Sequence, residues 1–220
     1  MPKLVLAVLV FTMPAIALAQ AEQGARGGKW EFSIGAVFQQ SKSLGSDGGS
    51  SLSIDDTNGW GINIGYNVNA QLNLSVDLDF LKPRYTAVLV DEMDPGNTTT
   101  INHKASQFNG RFKGTFYLLT TRFSPFFEAG FGWSEFDSNV ATGPPITGCW
   151  WHPWWGLICS DFYNTFTETS FSYGVGAGVR HQFSNDVFIK AGINIWDYDS
   201  LGMLEDPTMV GGRIEFGWLF

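Results

Sequence analysis

The sequence predicts an all-β chain: a closed antiparallel transmembrane β-barrel of about eight strands, an up-and-down meander with short turns at one end and long loops at the other. Three observations lead there. Apolar and polar residues alternate along run after run, the period of a strand whose two faces meet different surroundings. Glycine (26 residues) and aromatic rings (15%) are plentiful while charge is scarce (15%), a composition typical of antiparallel β-structure. The connections between the runs alternate in length.

The first segment reads as a secretory signal peptide, residues 1–19. Lys3 supplies the positive end, Leu4 to Leu18 is almost wholly apolar, and Ala17-Leu18-Ala19 offers a small-x-small cleavage site. Ala19-Gln20-Ala21 is a second site, which moves cleavage to after 21. The apolar run is shorter than the roughly 20 residues a spanning helix needs. Residues 20–220 are then the barrel domain.

The strands follow in order. Trp30, Phe32, Ile34, Ala36 and Phe38 share one face, with Glu31, Ser33 and Gly35 on the other. Trp60 to Val68 alternates likewise, as does Leu72 to Leu81, where Asp77 and Asp79 take the polar face. Phe108 to Leu118 sets Phe108, Phe112 and Phe116 against Asn109, Arg111, Lys113 and Thr115. Phe127, Ala129, Phe131 and Trp133 oppose Glu128, Gly130 and Gly132. Phe171 to Arg180 and Val187 to Trp196 continue the pattern, with Arg180 and Lys190 on the polar face. The last run sets Ile214, Phe216, Trp218 and Phe220 against Arg213, Glu215 and Gly217. Runs of this length suit tilted strands that cross a bilayer. Val68 to Leu72 and Phe183 to Val187 are the short turns, and Leu119 to Pro125 is only modestly longer. Ser41 to Asp55, Pro83 to Lys104 and Asp137 to Thr165 read as long loops, and Asp199 to Pro207 as an intermediate one.

The apolar face belongs in lipid. A soluble barrel would turn its large apolar groups inward, and the Gly, Asn, Ser and charged groups of the polar face cannot fill a dry core. In lipid every backbone donor and acceptor must be paired, and closure achieves that. Aromatic rings gather near the strand ends, as in two interfacial girdles: Trp30, Tyr66, Phe183, Trp218 and Phe220 on the turn side, and Phe38, Trp60, Phe80 and Trp133 on the loop side. The charges predicted to point inward balance: Glu31, Asp77, Asp79, Glu128 and Glu215 against Arg111, Lys113, Arg180, Lys190 and Arg213. Arg213 and Glu215 lie on the closing strand, which is expected beside the first strand, with Glu31, and the penultimate one, with Lys190. An eight-stranded interior is narrow enough for side chains to fill. A selective channel more often shows one dominant sign at its constriction. The balance therefore favours a cross-linked, largely closed interior over an ion pathway.

The two cysteines, Cys149 and Cys159, are expected to form a disulfide, since export places them in an oxidising compartment. The bond would pinch one loop holding Trp150, Trp151, Trp154 and Trp155. Four tryptophans in a loop either pack on other loops or the barrel rim, or form a surface for a receptor, a saccharide or the outer leaflet. Asp91, Glu92 and Asp94, and later Asp199, Glu205 and Asp206, fall in loops without the spacing of a calcium site. No metal or other cofactor is expected. A net charge of −8 argues against a nucleic-acid partner.

Three stretches carry a family resemblance: Ser124-Pro125-Phe126-Phe127-Glu128-Ala129-Gly130-Phe131-Gly132, Tyr173-Gly174-Val175-Gly176-Ala177-Gly178-Val179 and Phe216-Gly217-Trp218-Leu219-Phe220. With the signal peptide and the strand–turn rhythm, they resemble the small eight-stranded outer-membrane barrels of Gram-negative bacteria, the OmpA transmembrane domain and OmpX among them. The resemblance covers essentially the whole mature chain. It implies a porin-like β-barrel domain in the cell outer membrane, with outer-membrane lipids and lipopolysaccharide as surroundings. It also implies an assembly signal at Phe216, Trp218 and Phe220, read by the barrel-insertion machinery. No room follows Phe220 for the peptidoglycan-binding domain of full-length OmpA proteins, so a free-standing barrel is expected. Some barrels of this architecture modify lipid A. The deacylases carry a catalytic His and Ser two residues apart on a late strand; here that region reads Ile195-Trp196-Asp197-Tyr198-Asp199-Ser200, without histidine. His181 and Ser184 are three apart, on opposite faces of a strand, and His103 lies in a long loop. A nucleophile needs its base within hydrogen-bond reach, so an enzyme is not expected. The expected role is structural, adhesive or surface-recognising, toward an extracellular ligand or host surface. The alternatives are a small porin-like channel for ions or small solutes and, after it, a lipid A-modifying enzyme.

Overall fold

Alternating side chains with unlike preferences hold a strand's register, because a slip of one residue would turn every apolar group from lipid into the lumen. The computed structural model describes residues 26–45, 50–90, 98–144, 146–201, 204–205 and 207–220. The signal peptide expected at 1–19 lies outside them, as do Asp91, Glu92, Asp94 and Asp206. In chain order the strands are β1 (Trp30–Gln39), β2 (Lys42–Gly45), β3 (Ser51–Ile54), β4 (Thr57–Asn67), β5 (Leu72–Leu81) and β6 (Arg84–Val90). There follow β7 (Thr98–Lys104), β8 (Ser106–Tyr117), β9 (Phe123–Ala141), β10 (Ile146–His152) and β11 (Gly156–Phe162). The last are β12 (Thr165–Gln182), β13 (Val187–Tyr198), β14 (Ser200–Leu201), β15 (Leu204–Glu205) and β16 (Thr208–Leu219).

Eight of these form a closed barrel, in the order β1, β4, β5, β8, β9, β12, β13 and β16, with β16 returning to β1. Every pairing is antiparallel, and the closing seam runs without a break from Glu31↔Leu219 to Gln39↔Gly211. The expected meander is therefore the observed one. The rings assigned to both girdles are exposed on the outer wall. Trp30 and Tyr66 meet at the turn side with centroids 5.2 Å apart; Trp60 and Phe80 stack at the loop side at 4.6 Å.

The long connections depart from the sequence reading, which assigns them to loops. Much of their length is paired. β2, β3, β6 and β7 form a four-stranded sheet beyond the rim, and β10 with β11 forms a separate hairpin. β9 and β12 run on past the rim for totals of 19 and 18 residues. Paired backbone needs no other partner for its donors and acceptors. Runs rich in β-branched residues, such as Thr86 to Val90 and Thr98 to Ile101, suit that conformation. The β9–β12 ladder slips between Thr165 and Thr167, opposite Asn139, whose φ of 54° is left-handed. Asparagine tolerates that region better than most residues.

Candidate functional site: the barrel interior and the tryptophan hairpin

Inward-pointing positions of β5, β8, β9, β13 and β16 bring opposite charges within reach across a narrow lumen. Arg213 contacts Asp77 at 3.2 Å, Asp79 at 2.5 Å and Glu215 at 2.5 Å. Glu215 meets Lys190 at 3.6 Å, and Lys190 meets Glu128 at 3.7 Å. Glu128 meets Lys113 at 3.1 Å, and Lys113 returns to Asp77 at 2.6 Å. These six residues, Arg213, Glu215, Lys190, Glu128, Lys113 and Asp77, make a ring of alternating sign around the lumen. Arg111 hangs on it through Asp79 at 3.2 Å, and Asn63 donates a hydrogen bond to Asp77. Gly61 faces this crossing: a Cβ there would collide with the Asp79 carboxylate and come within 3.3 Å of Arg213. The missing side chain is the space in which Arg213 reaches Asp79.

The closing strand β16 lies between β1, which carries Glu31, and β13, which carries Lys190, as expected; Glu31 nonetheless finds its ionic partner elsewhere. In the register it stands opposite Leu219, two pairs beyond Gly217, and its partner is Arg180 at 2.7 Å, on β12. Arg180 also donates to the Tyr117 hydroxyl at 2.9 Å, and its guanidinium lies 3.7 Å from the centre of the Phe188 ring. Asn67 donates to the same Glu31 carboxylate at 3.2 Å. All ten residues assigned to the interior are thus buried, and each has an opposite charge within 3.7 Å. Coulombic attraction in a low-dielectric interior offsets the desolvation of charges only when such partners are in place.

Both mouths carry closures that the charge pattern does not announce. At the extracellular end Trp196, Tyr198 and Met209 point inward and pack with Ile54 of the outer sheet into a buried apolar cluster. Leu52, Tyr85 and Phe136 lie against it. Arg111 sits 4.1 Å from the centre of the Trp196 ring and donates to the Tyr198 hydroxyl at 3.1 Å, joining this cap to the ionic ring. A cavity bordered by Asn109, Arg111, Trp196 and Tyr198 has a volume of about 20 Å³. That is room for about one water. At the periplasmic end Tyr117, Phe126 and Phe188 are buried. Arg26, just before β1, lies over the Tyr117 ring at 4.3 Å and donates to the carbonyls of Ala70 (2.8 Å) and Leu119 (2.5 Å) in two different turns. Arg26 stands before the first alternating run and carries no sequence signal of its own. The inward alternation of Tyr117, Phe188 and Trp196 is the signal that could have found the caps.

Outside the barrel, Cys149 and Cys159 stand directly opposite in β10–β11 and are joined by a disulfide. Trp150 lies in β10 opposite Ile158, and Trp151 opposite Leu157. Trp151, Trp154 and Trp155 are 76%, 85% and 75% exposed, so these three do not bury their rings against the rim. From residue 138 to 160 there is no Asp, Glu, Lys or Arg. The hairpin is an uncharged, covalently braced aromatic tip. Elsewhere, the His181 ring lies against Phe183, centroids 4.9 Å apart, and Ser184 sits in the following turn.

The family model for the outer membrane protein beta-barrel domain matches residues 4–215. The chain belongs to that family. The outer membrane is accordingly its location, and lipid and lipopolysaccharide its surroundings. No curated protein matches the sequence. Among solved structures, this barrel is similar to the outer membrane protein OprG of Pseudomonas aeruginosa, with 12% identity, a TM-score of 0.59, and coverage of 90% of this chain and 98% of that one. It is similar to Neisserial surface protein A, with 15% identity, a TM-score of 0.51, and coverage of 88% and 96%. A third likeness is to Ail, the attachment invasion locus protein of Yersinia pestis, in complex with the heparin analogue sucrose octasulfate. It has 14% identity, a TM-score of 0.50, and coverage of 88% and 99%. At these identities the likeness is one of fold.

Proposed function

We propose that this outer membrane barrel acts by contact at the cell surface and not by conduction. Its interior is a structural plug, and its extracellular β-structure recognises an external ligand or host surface. The observation that carries the proposal is the interior itself, where matched charges ring the lumen between an apolar cap and the Arg26 closure. With no dominant sign and little free volume, such a lumen suits holding strands together better than passing ions. The expected signal peptide at 1–19 and the aromatic closing residues Phe216, Trp218 and Phe220 fit export and insertion of such a barrel. No catalytic or cofactor-dependent step is part of the proposal.

The contact element is the hairpin carrying Trp150, Trp151, Trp154 and Trp155. Large aromatic side chains dominate protein contact energies. The disulfide braces the tip, so less order is lost on binding. The structural neighbour Ail, captured in complex with a heparin analogue, is a precedent for a ligand bound to this architecture. Replacing all four tryptophans with serine is expected to leave the heat-dependent gel-mobility shift of the folded barrel intact. The same variant is expected to lower binding of the refolded protein to cultured epithelial cells by more than about tenfold. Undiminished binding would remove the hairpin from this role.

A further inference from the structure

We propose a binding site for a phosphorylated glycolipid on the outer wall of the barrel, at the extracellular edge of the bilayer. A groove of about 850 Å³ crosses the wall there. One end is apolar, formed by Phe38 of β1, Ile193 of β13 and Val210 of β16, all exposed on the lipid face. Gly212 lies between them, paired with Phe38 on one side and Ile193 on the other. A Cβ at Gly212 would meet only the Gly192 carbonyl oxygen, at 3.5 Å. The missing side chain leaves a channel between two bulky neighbours, Phe38 and Ile193.

The other end is cationic. Lys82, Arg84 and Lys104 line it, and all three are exposed. Arg84 and Lys104 are direct partners in the β6–β7 ladder. Like charges placed so repel each other, and an anion between them relieves the repulsion. Among the described residues none of the three has a carboxylate within the 4.0 Å of an ion pair. Asp56 is the acidic residue on the lining, which therefore has three cations against one carboxylate. Gln40 and Asn58 add neutral hydrogen-bond donors.

Height decides what the groove meets. Phe38, Trp60 and Phe80 belong to the outer aromatic girdle, Lys82 is two residues beyond Phe80, and Asn58 two residues beyond Trp60 on the antiparallel β4. The cations therefore sit just outside the hydrocarbon, at the depth of lipid phosphates. An apolar channel that runs up to unpaired cations at that depth fits one lipid, with its chain on Phe38 and Ile193 and its phosphate on Lys82, Arg84 and Lys104. The site is separate from the tryptophan hairpin and does not depend on the hairpin's role.

The test uses the mature chain refolded in phosphatidylcholine nanodiscs. Labelled bis-phosphorylated lipid A is titrated in, and unlabelled lipid A, dephosphorylated lipid A or inorganic phosphate competes. The unaltered chain is expected to retain lipid A, with the two other competitors far weaker. Each of Lys82→Gln, Arg84→Gln and Lys104→Gln is expected to weaken retention about fivefold, on the order of a hundredfold together. Gly212→Leu, which fills the channel without touching a charge, is expected to weaken it severalfold, and Lys42→Gln to leave it unchanged. The gel-mobility shift confirms that each variant is folded, and the single substitutions carry the test if the triple variant does not fold. Equal retention by the cation variants, or equal competition by dephosphorylated lipid A, would overturn the site. Equal competition by inorganic phosphate would reduce it to a free-anion site and overturn the lipid.

Discussion

Arg213→Met is expected to destabilise the folded barrel by roughly 3–5 kcal/mol, the range seen when one partner of a buried ion pair is removed. The reason is the number of groups it serves. Arg213 contacts Asp77, Asp79 and Glu215, and all three carboxylates are buried. Without it, Asp77 keeps Lys113, Asp79 keeps Arg111 and Glu215 keeps Lys190, but the six-membered ring is broken and one negative charge is uncompensated. The measurement is equilibrium unfolding in denaturant, read by the gel-mobility shift. Adding Asp79→Asn to Arg213→Met restores the charge balance and is expected to recover part of the loss. A single variant as stable as the parent would mean that the ring contributes nothing to holding the strands.

The adjacent residue gives the second large effect, for the opposite reason. Ile214 is exposed and sits between Ala36 and Ala191, within the outer apolar band. Ile214→Arg is expected to cost about 2–4 kcal/mol, as a cation on the lipid face near mid-depth does. Arg213 and Ile214 are neighbours in sequence, yet one position needs a cation and the other rejects it. Alternation of the two strand faces is the whole cause. Unchanged stability of Ile214→Arg in bilayers would mean that this face does not meet hydrocarbon.

The same alternation explains how much was legible in the sequence. Period-2 patterning over Trp30–Phe38 or Phe171–Arg180 assigns each residue to lipid or lumen, and eight such runs joined by alternating turns imply closure. The ten interior charges follow from phase alone. Their pairing does not. Asp77 stands opposite Arg111 in the β5–β8 ladder, yet Arg111 pairs with Asp79 and Lys113 pairs with Asp77, because long side chains reach diagonally. Glu31 pairs with Arg180 of β12, a strand that does not adjoin β1, and only the closed geometry brings them together. The cap of Ile54 on Trp196, Tyr198 and Met209 likewise needs the outer sheet in place, and polar, glycine-rich flanks conceal that sheet. The cation groove was illegible because Lys82 follows β5, Arg84 opens β6 and Lys104 closes β7, and Lys104 reaches the other two only through the β6–β7 pairing.

Planar-bilayer recording of the purified, refolded chain tests the closed interior most directly. A lumen sealed by the Arg213–Glu215–Lys190–Glu128–Lys113–Asp77 ring between its two caps should give a silent membrane, with no stable steps of current under applied voltage. Steps of reproducible size, present with the refolded barrel and lost on its heat denaturation, would contradict it.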